Sequence, residues 1–461
     1  MTPASNLALS VLTLRVAAVV AVTWTVGLTS PPAGAVNPPI VDDALLPAPQ
    51  SPAPREPTEQ SERCHSAARP ADVGSESQLS GIDLQSIWRL SRGGGQTVAV
   101  IDTGVARHRL LPHLVPGGDY VSAGDGTQDC DGHGTVVAGI IGAAEVDVAG
   151  TSFGGLAPDA AIMGIRQSSN AFRRVSDPAS SGVGDVETLA MAVRTAADAG
   201  ATVINISSVA CIPATDEVGD GALGAALAYA VDVKNVVVVA AAGNVGGPGV
   251  CHEQNPPSDP SRPGLPDWDA VNVVASPSWY DDYVLTVASA DLDGRPSTFS
   301  LAGPWVDVAA PGEAVVSLDP DGEGLIDAAP GSDELLSISG TSYSAPVVTG
   351  IAALIRSREP QLTARQVMQR IEDTAQRPAA EWDPHVGHGV VDALAAISAD
   401  GSGPSPSTPK PSVPPAPYAR RSDPMSRQVA FGGAAICVAA VAVASVTAGR
   451  LRRRRQPVAH D

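Results

Sequence analysis

Between about residues 96 and 395 the chain alternates between two kinds of apolar pattern. The first is a short unbroken run: TVAVIDTG, AAIMGIRQ, ATVINISS, VVVVAAAGN, YVLTVASA and WVDVAAPG. Unbroken runs of this length, rich in β-branched and small side chains, predict strands buried on both faces. The second is a longer segment with apolar residues at helical spacing, as in HGTVVAGIIGAA, GDVETLAMAVRTAADAG and GDGALGAALAYAVDVK. Further helices are predicted at 86–92, 341–358, about 363–375 and near 390–397. Strands alternating with helices predict an α/β fold: a mostly parallel sheet covered on both faces, with its site at the C-terminal ends of the strands.

The flanks follow other patterns. Residues 1–35 read as a secretory signal, with Arg15, an apolar stretch at 16–28 and Ala33, Gly34, Ala35 in small-x-small form; cleavage is predicted after Ala35. Residues 36–85 form an N-terminal extension, rich in proline and charge over most of its length and without a core of its own. The folded body spans 86–399, and 400–426 is a proline-rich linker. The segment 427–449 is uncharged over nearly all its length and long enough to span a bilayer, and 450–461 begins with a cluster of arginines. Together these predict one transmembrane helix, a cytoplasmic C-terminus and an exported body.

Composition narrows the function. The 461 residues allow one large domain, and the net charge of -20, with basic residues crowded at the C-terminus, argues against a nucleic-acid partner. No dense carboxylate cluster at metal-loop spacing stands out, so neither a metal nor another cofactor is expected. Export makes Cys64, Cys130, Cys211 and Cys251 two disulfides with three possible connectivities. Cys211 and Cys251 each follow a predicted strand and should share a rim, which leaves Cys64 with Cys130. That second bond would retain the extension on the mature body, tied to the loop before His133.

The chemistry begins at 339–354, SGTSYSAPVVTGIAAL. Gly340 and Ala345 leave room for a substrate backbone, and Pro346 suits a first helical turn. Ser342 should sit at a helix start, where free N–H groups favour negative charge on a bound carbonyl oxygen. A serine nucleophile needs a base, a carboxylate to orient it and donors for the oxyanion. Asp102 ends TVAVIDTG, His133 opens a helix between Gly132 and Gly134, and Asn244 ends AAAGN. Asp129 and Asp131 are alternative partners for His133, and each of these residues could instead be an ordinary turn or cap.

Taken together the motifs resemble the subtilisin-like serine proteases: DTG at Asp102, HGT at His133, AAAGN at Asn244 and GTSYSAP at Ser342, in the order aspartate, histidine, serine. The resemblance covers roughly 90–398. It implies that Asp102 orients the imidazole, His133 is general base and then acid, and Ser342 forms the acyl-enzyme. Asn244 and the Ser342 N–H would hold the oxyanion, with Ser207, Ser208 and Gly340 along the substrate. Ser208, Val209 and Ala210 replace the family's usual leucine-glycine pair, which implies a narrower pocket and a selective enzyme.

More narrowly, the signal, cysteine-bearing extension, body, linker and arginine-tailed anchor are similar to the mycosins, the membrane-anchored subtilases of type VII secretion systems. LQSIWRLSRG, DCDGHGT and YDDYVLTVAS are similar too. This resemblance implies limited cleavage of secreted protein substrates and association with a type VII secretion membrane complex. Two rivals remain. DTG is also the aspartic-protease triplet, but only one copy occurs where two carboxylates are needed. A non-catalytic assembly subunit could keep the fold while losing the chemistry.

Overall fold

The computed structural model describes residues 36–64, 69–71, 76–148, 151–246, 251–321, 324–330 and 335–399. The expected signal (1–35), linker (400–426), transmembrane segment (427–449) and basic tail (450–461) lie outside the described residues. Among those described, no helix is long and apolar enough to cross a membrane.

Seven strands form the central sheet: β1 (Thr97–Asp102), β2 (Leu114–Asp119), β3 (Ala161–Arg166), β4 (Val203–Ile206), β5 (Val237–Ala241), β6 (Leu285–Ala290) and β7 (Val308–Pro311). Their order is β7-β6-β5-β4-β1-β3-β2, and every ladder is parallel. The chain builds β2 and β3 on one side of β1, then crosses to the other side for β4 to β7. A sheet that reverses its order this way opens a crevice beyond the strand ends at the reversal, here the C-terminal ends of β1 and β4.

Six strands coincide with the apolar runs; β2, LVPGGD, does not. It is one of the two edges of the sheet, with a register shift between Pro116 and Gly118. An edge strand solvated on one side tolerates proline and needs no continuous apolar run. Short antiparallel pieces also escape the pattern. Thr58–Gln60 pairs with Phe172–Arg174, fastening the extension to the body. Arg69–Ala71 joins a small sheet with Ser317–Leu318, Leu325–Pro330 and Leu335–Ser337.

The helices are α1 (Leu84–Trp88), α2 (His133–Gly142), α3 (Val186–Asp198), α4 (Gly221–Ala228), α5 (Thr341–Arg358), α6 (Ala364–Thr374) and α7 (Ala393–Ser398). α1 starts before the expected residue 86 because the Asp83 carboxylate accepts from the Ser86 N–H and caps it there. α7 starts later than expected: Val390 is engaged in β-bridges to Ala309 and Gln376, and Asp392 provides the cap. α4 continues into a π-helical turn at Tyr229–Val233. α5 is the central helix, buried at every position from Ser344 to Arg356 and packed on β4, β5, β6 and β7. A helix apolar all round belongs inside a core, and the small side chains of this chain let it fit there. The disulfides join Cys64 to Cys130 and Cys211 to Cys251.

Candidate active site

Asp102 is the last residue of β1 and only 2% exposed. Its Oδ1 accepts from the Thr103 N–H at 2.7 Å and lies 2.7 Å from His133 Nδ1. A carboxylate can only accept, so Nδ1 carries the proton and Nε2 of a neutral ring keeps its lone pair. The two alternative carboxylates face elsewhere. Asp129 accepts from Thr103 Oγ1, the Gly132 N–H, and both the N–H and hydroxyl of Thr135. Asp131 accepts from the Ser169 hydroxyl and, at 2.7 Å, the Asn170 N–H.

The His133 side chain is 30% accessible, and the glycines on either side of it let the chain pack closely. Gly132, the N-cap of α2, has φ of 84°. A Cβ on Gly134 would lie 2.0 Å from the Gly104 carbonyl oxygen and 3.0 Å from Asp102 Cβ. Only a glycine lets the helix start press this closely on the end of β1. Burial pushes the His133 pKa down, but the Asp102 charge and hydrogen bond, with the charges of Asp129 and Asp131, outweigh it and hold the imidazole above its usual value.

Ser342 is the second residue of α5. Its hydroxyl donates to the Ser207 carbonyl at 2.8 Å, and the Ser207 hydroxyl donates to the Ser342 carbonyl at 2.8 Å. Tyr343 packs its ring 5.3 Å from that of His133, bringing the start of α5 against the start of α2. In this state the Ser342 hydroxyl bonds to Ser207 and not to His133, so it must rotate to deliver a proton to Nε2.

Asn244 lies three residues beyond β5 rather than ending it, bridged to Ser300. Its Oδ1 accepts from the Thr341 N–H at 3.0 Å and the Thr341 hydroxyl at 3.2 Å. Since an N–H only donates, the amide oxygen must face Thr341, which turns Nδ2 the other way. Nδ2 and the Ser342 N–H are both donors without an intramolecular acceptor among the described residues. Gly340 stands beside them: a Cβ there would be 3.5 Å from Asn244 Nδ2. Two free donors at the positive end of a helix are the equipment for stabilising an oxyanion. Ser207 and the half-buried Ser208 follow β4 directly.

Sequence reasoning missed the residues that hold these groups. Asn205, fully buried in β4, donates to Ser207 Oγ at 2.9 Å and accepts from the Thr349 hydroxyl at 2.9 Å. Its signal was a polar residue inside an apolar run, where burial demands partners. Among the described residues, no group of three or more His, Cys, Asp or Glu is placed to hold a metal ion.

A parallel sheet whose C-terminal rim gathers a buried carboxylate, an imidazole and a hydroxyl at a helix start is that of a subtilisin-like serine protease, and the subtilase family model matches residues 93–389. The chain belongs to that family, and within it to the mycosins: it is 55% identical over 461 residues to Mycosin-4 of Mycobacterium tuberculosis (strain ATCC 25618 / H37Rv), covering 97% of this chain and 99% of the relative. It is similar to the solved MycP3 protease from the type VII (ESX-3) secretion system, 44% identical with a TM-score of 0.73, covering 79% of this chain and 100% of that one. It is also similar to a chain of an intact ESX-5 inner membrane complex, 41% identical with a TM-score of 0.74, covering 90% of this chain and 100% of that one.

Proposed function

We propose that this protein is a membrane-anchored serine endopeptidase that cleaves a limited set of secreted proteins while associated with a type VII secretion membrane complex. The observation that carries the chemistry is the 2.7 Å contact between His133 Nδ1 and the buried Asp102 carboxylate, at the rim where Ser342 opens α5. In this reading Ser342 attacks the scissile carbonyl, and Nε2 of His133 takes its proton and later returns it to the leaving amine. Asp102 fixes the tautomer and offsets the imidazolium charge. Asn244 Nδ2 and the Ser342 N–H receive the oxyanion. Ser207, Ser208 and Gly340 flank the substrate backbone.

The secretion partner is supported by the solved relatives, one described as a protease from a type VII secretion system and another as part of an ESX-5 inner membrane complex. The anchor is the segment 427–449, with the protease body outside the membrane and the arginine tail inside. The extension stays on the mature body through Cys64–Cys130 and its strand pairing. The test is fluorophosphonate labelling of the full chain followed by peptide mapping. Modification of Ser342, abolished in Ser342→Ala, is expected; labelling that survives that substitution excludes the mechanism. Retained secretion in a Ser342→Ala strain assigns the essential role to the assembly rather than to cleavage.

A further inference from the structure

We infer that Asp129 is a positioning residue for the catalytic base, locking the start of α2 onto the end of β1 and adding a second negative charge beside His133. It reaches both sides of the site at once. Oδ1 accepts from the Thr103 hydroxyl at 2.8 Å and the Gly132 N–H at 2.8 Å; Oδ2 accepts from the Thr135 N–H at 2.8 Å and its hydroxyl at 2.7 Å. Thr103 follows Asp102, while Gly132 and Thr135 bracket His133. Thr103 Oγ1 in turn accepts from the Gly134 N–H at 3.0 Å. The hydrogen bond between Asp102 and His133 is thus enclosed in a ring of bonds closed by one carboxylate.

The helix explains why a carboxylate is needed. Gly132 at the N-cap has no side chain to receive the first N–H groups of α2. Those groups would go unsatisfied at a partly buried helix start, which is costly. Asp129 takes the Thr135 N–H and, just before the helix, the Gly132 N–H, while Thr103 takes the Gly134 N–H, so groups from outside the helix replace the missing cap. Negative charge is favoured at that end of a helix. Burial, with the Asp102 charge, raises the Asp129 carboxyl above its ordinary value, and the bonds from Thr135 and Thr103 limit the rise.

The charge also acts on the ring. The charges felt by His133 are those of Asp102 on β1, which bonds it, and of Asp129 and Asp131 in the loop before α2, which are bonded to other groups, while the Tyr343 ring of α5 packs beside it. Pro320, flanked by Asp319 and Asp321, packs against Gly132. Arg166, the cation at the end of the neighbouring strand, is turned towards Asp119 and the face of Phe172. With one cation directed away and three carboxylates near the ring, removing one of the carboxylates must make the imidazolium less favourable.

This inference rests on His133 being the base, and one experiment separates the two. The rate of fluorophosphonate labelling of the full chain is followed against pH, with Ser342→Ala as blank. Labelling of Ser342→Ala, or none of the wild type, breaks the assignment of the base and nucleophile. Given Ser342-dependent labelling, Asp129→Asn is expected to lower the midpoint of the pH profile by about half a unit or more. It is also expected to slow the plateau by about tenfold or more through misplacement of the base. An unmoved midpoint overturns the inference, whatever happens to the plateau. Thr135→Val removes the hydroxyl's bonds to Asp129 and the Ala106 N–H but no charge, and should slow the plateau while leaving the midpoint in place. If Asp129→Asn does not accumulate, Thr103→Val and Thr103→Ser carry the test: valine should slow the plateau and serine restore it, and equal rates in both overturn the positioning role.

Discussion

Ser342 and Ser207 hold each other by a reciprocal pair of hydrogen bonds, each hydroxyl donating to the other residue's carbonyl at 2.8 Å. The pair fastens the first turn of α5 to the chain leaving β4, on the rim where the strand order reverses. It also occupies the nucleophile's proton. A substrate N–H arriving at the Ser207 carbonyl would compete for that acceptor and release the Ser342 hydroxyl towards His133.

Ser207→Ala keeps the carbonyl that receives Ser342 but removes the bond to the Ser342 carbonyl and strands Asn205 Nδ2. Leaving one buried donor unpaired costs about 1–3 kcal/mol. The expected result is a lower Tm together with a roughly tenfold fall in kcat, because the start of α5 loses its tether. Melting curves and peptide turnover check both, and an unchanged kcat removes Ser207 from the positioning of the nucleophile.

The two free donors make a separate prediction. Asn244→Asp keeps an acceptor for Thr341 but replaces the outward amide with a carboxylate oxygen, which repels an oxyanion. Turnover should fall about a hundred- to a thousandfold, with KM little changed, since the donor acts on charge that develops only in the transition state. A variant whose loss appears in KM alone would place Asn244 in substrate binding instead.

The pH dependence has two opposite signs. Catalysis needs the neutral ring, so kcat/KM should fall as pH drops through a His133 value held above the ordinary figure of about 6.5. The stabilising contact between the imidazolium and Asp102 runs the other way. A group whose pKa is raised on folding stabilises fully below the unfolded value, about 6.5, and that contribution is lost as pH rises through the higher folded value. An acid limb centred below 6.5 would show that burial, not the carboxylates, governs this ring.

How much of this was legible in the residues varied with the kind of interaction. The six buried strands and α5 could be read because burial on all sides leaves an unbroken apolar signature. β2 could not, because an edge strand carrying Pro116, Gly117 and Gly118 has no such signature and is held by its neighbour. Asp102, His133 and Ser342 were visible as motifs at element ends. The partners that orient them were not: sequence left Asp102, Asp129 and Asp131 competing for His133, and only the packing of α2 on β1 separates them. Gly134 stood out only as a neighbour of His133; that it lets two backbones meet shows only in the packing of α2 on β1.

The extension offers a covalent test. Cys64 is bonded to Cys130, and Thr58–Gln60 is paired with Phe172–Arg174. If a protease nicks the chain between Cys64 and α1, the N-terminal fragment should stay with the body on a non-reducing gel and separate on a reducing one. Cys64→Ser should release it under both conditions once the gel has denatured the strand pairing. Separation of the wild-type fragment without reductant would mean the bond is not formed in the mature protein.

Gly134 gives the sharpest prediction about geometry. Its missing Cβ is what allows the start of α2 to lie against the Gly104 carbonyl and Asp102 Cβ, at 2.0 Å and 3.0 Å from the position a methyl would take. Backbone carbonyls cannot swing aside like a flexible side chain, so Gly134→Ala must push the helix start away from β1. His133 moves with it, because the ring is carried by the residue immediately before. A misplacement of about 1 Å can cost on the order of a hundredfold in rate, while helix propensity itself favours alanine. Gly134→Ala should therefore lose activity out of proportion to stability, measured as fluorophosphonate labelling rate against Tm. Wild-type labelling in this variant would mean that β1 and α2 can separate without disturbing the contact between Asp102 and His133.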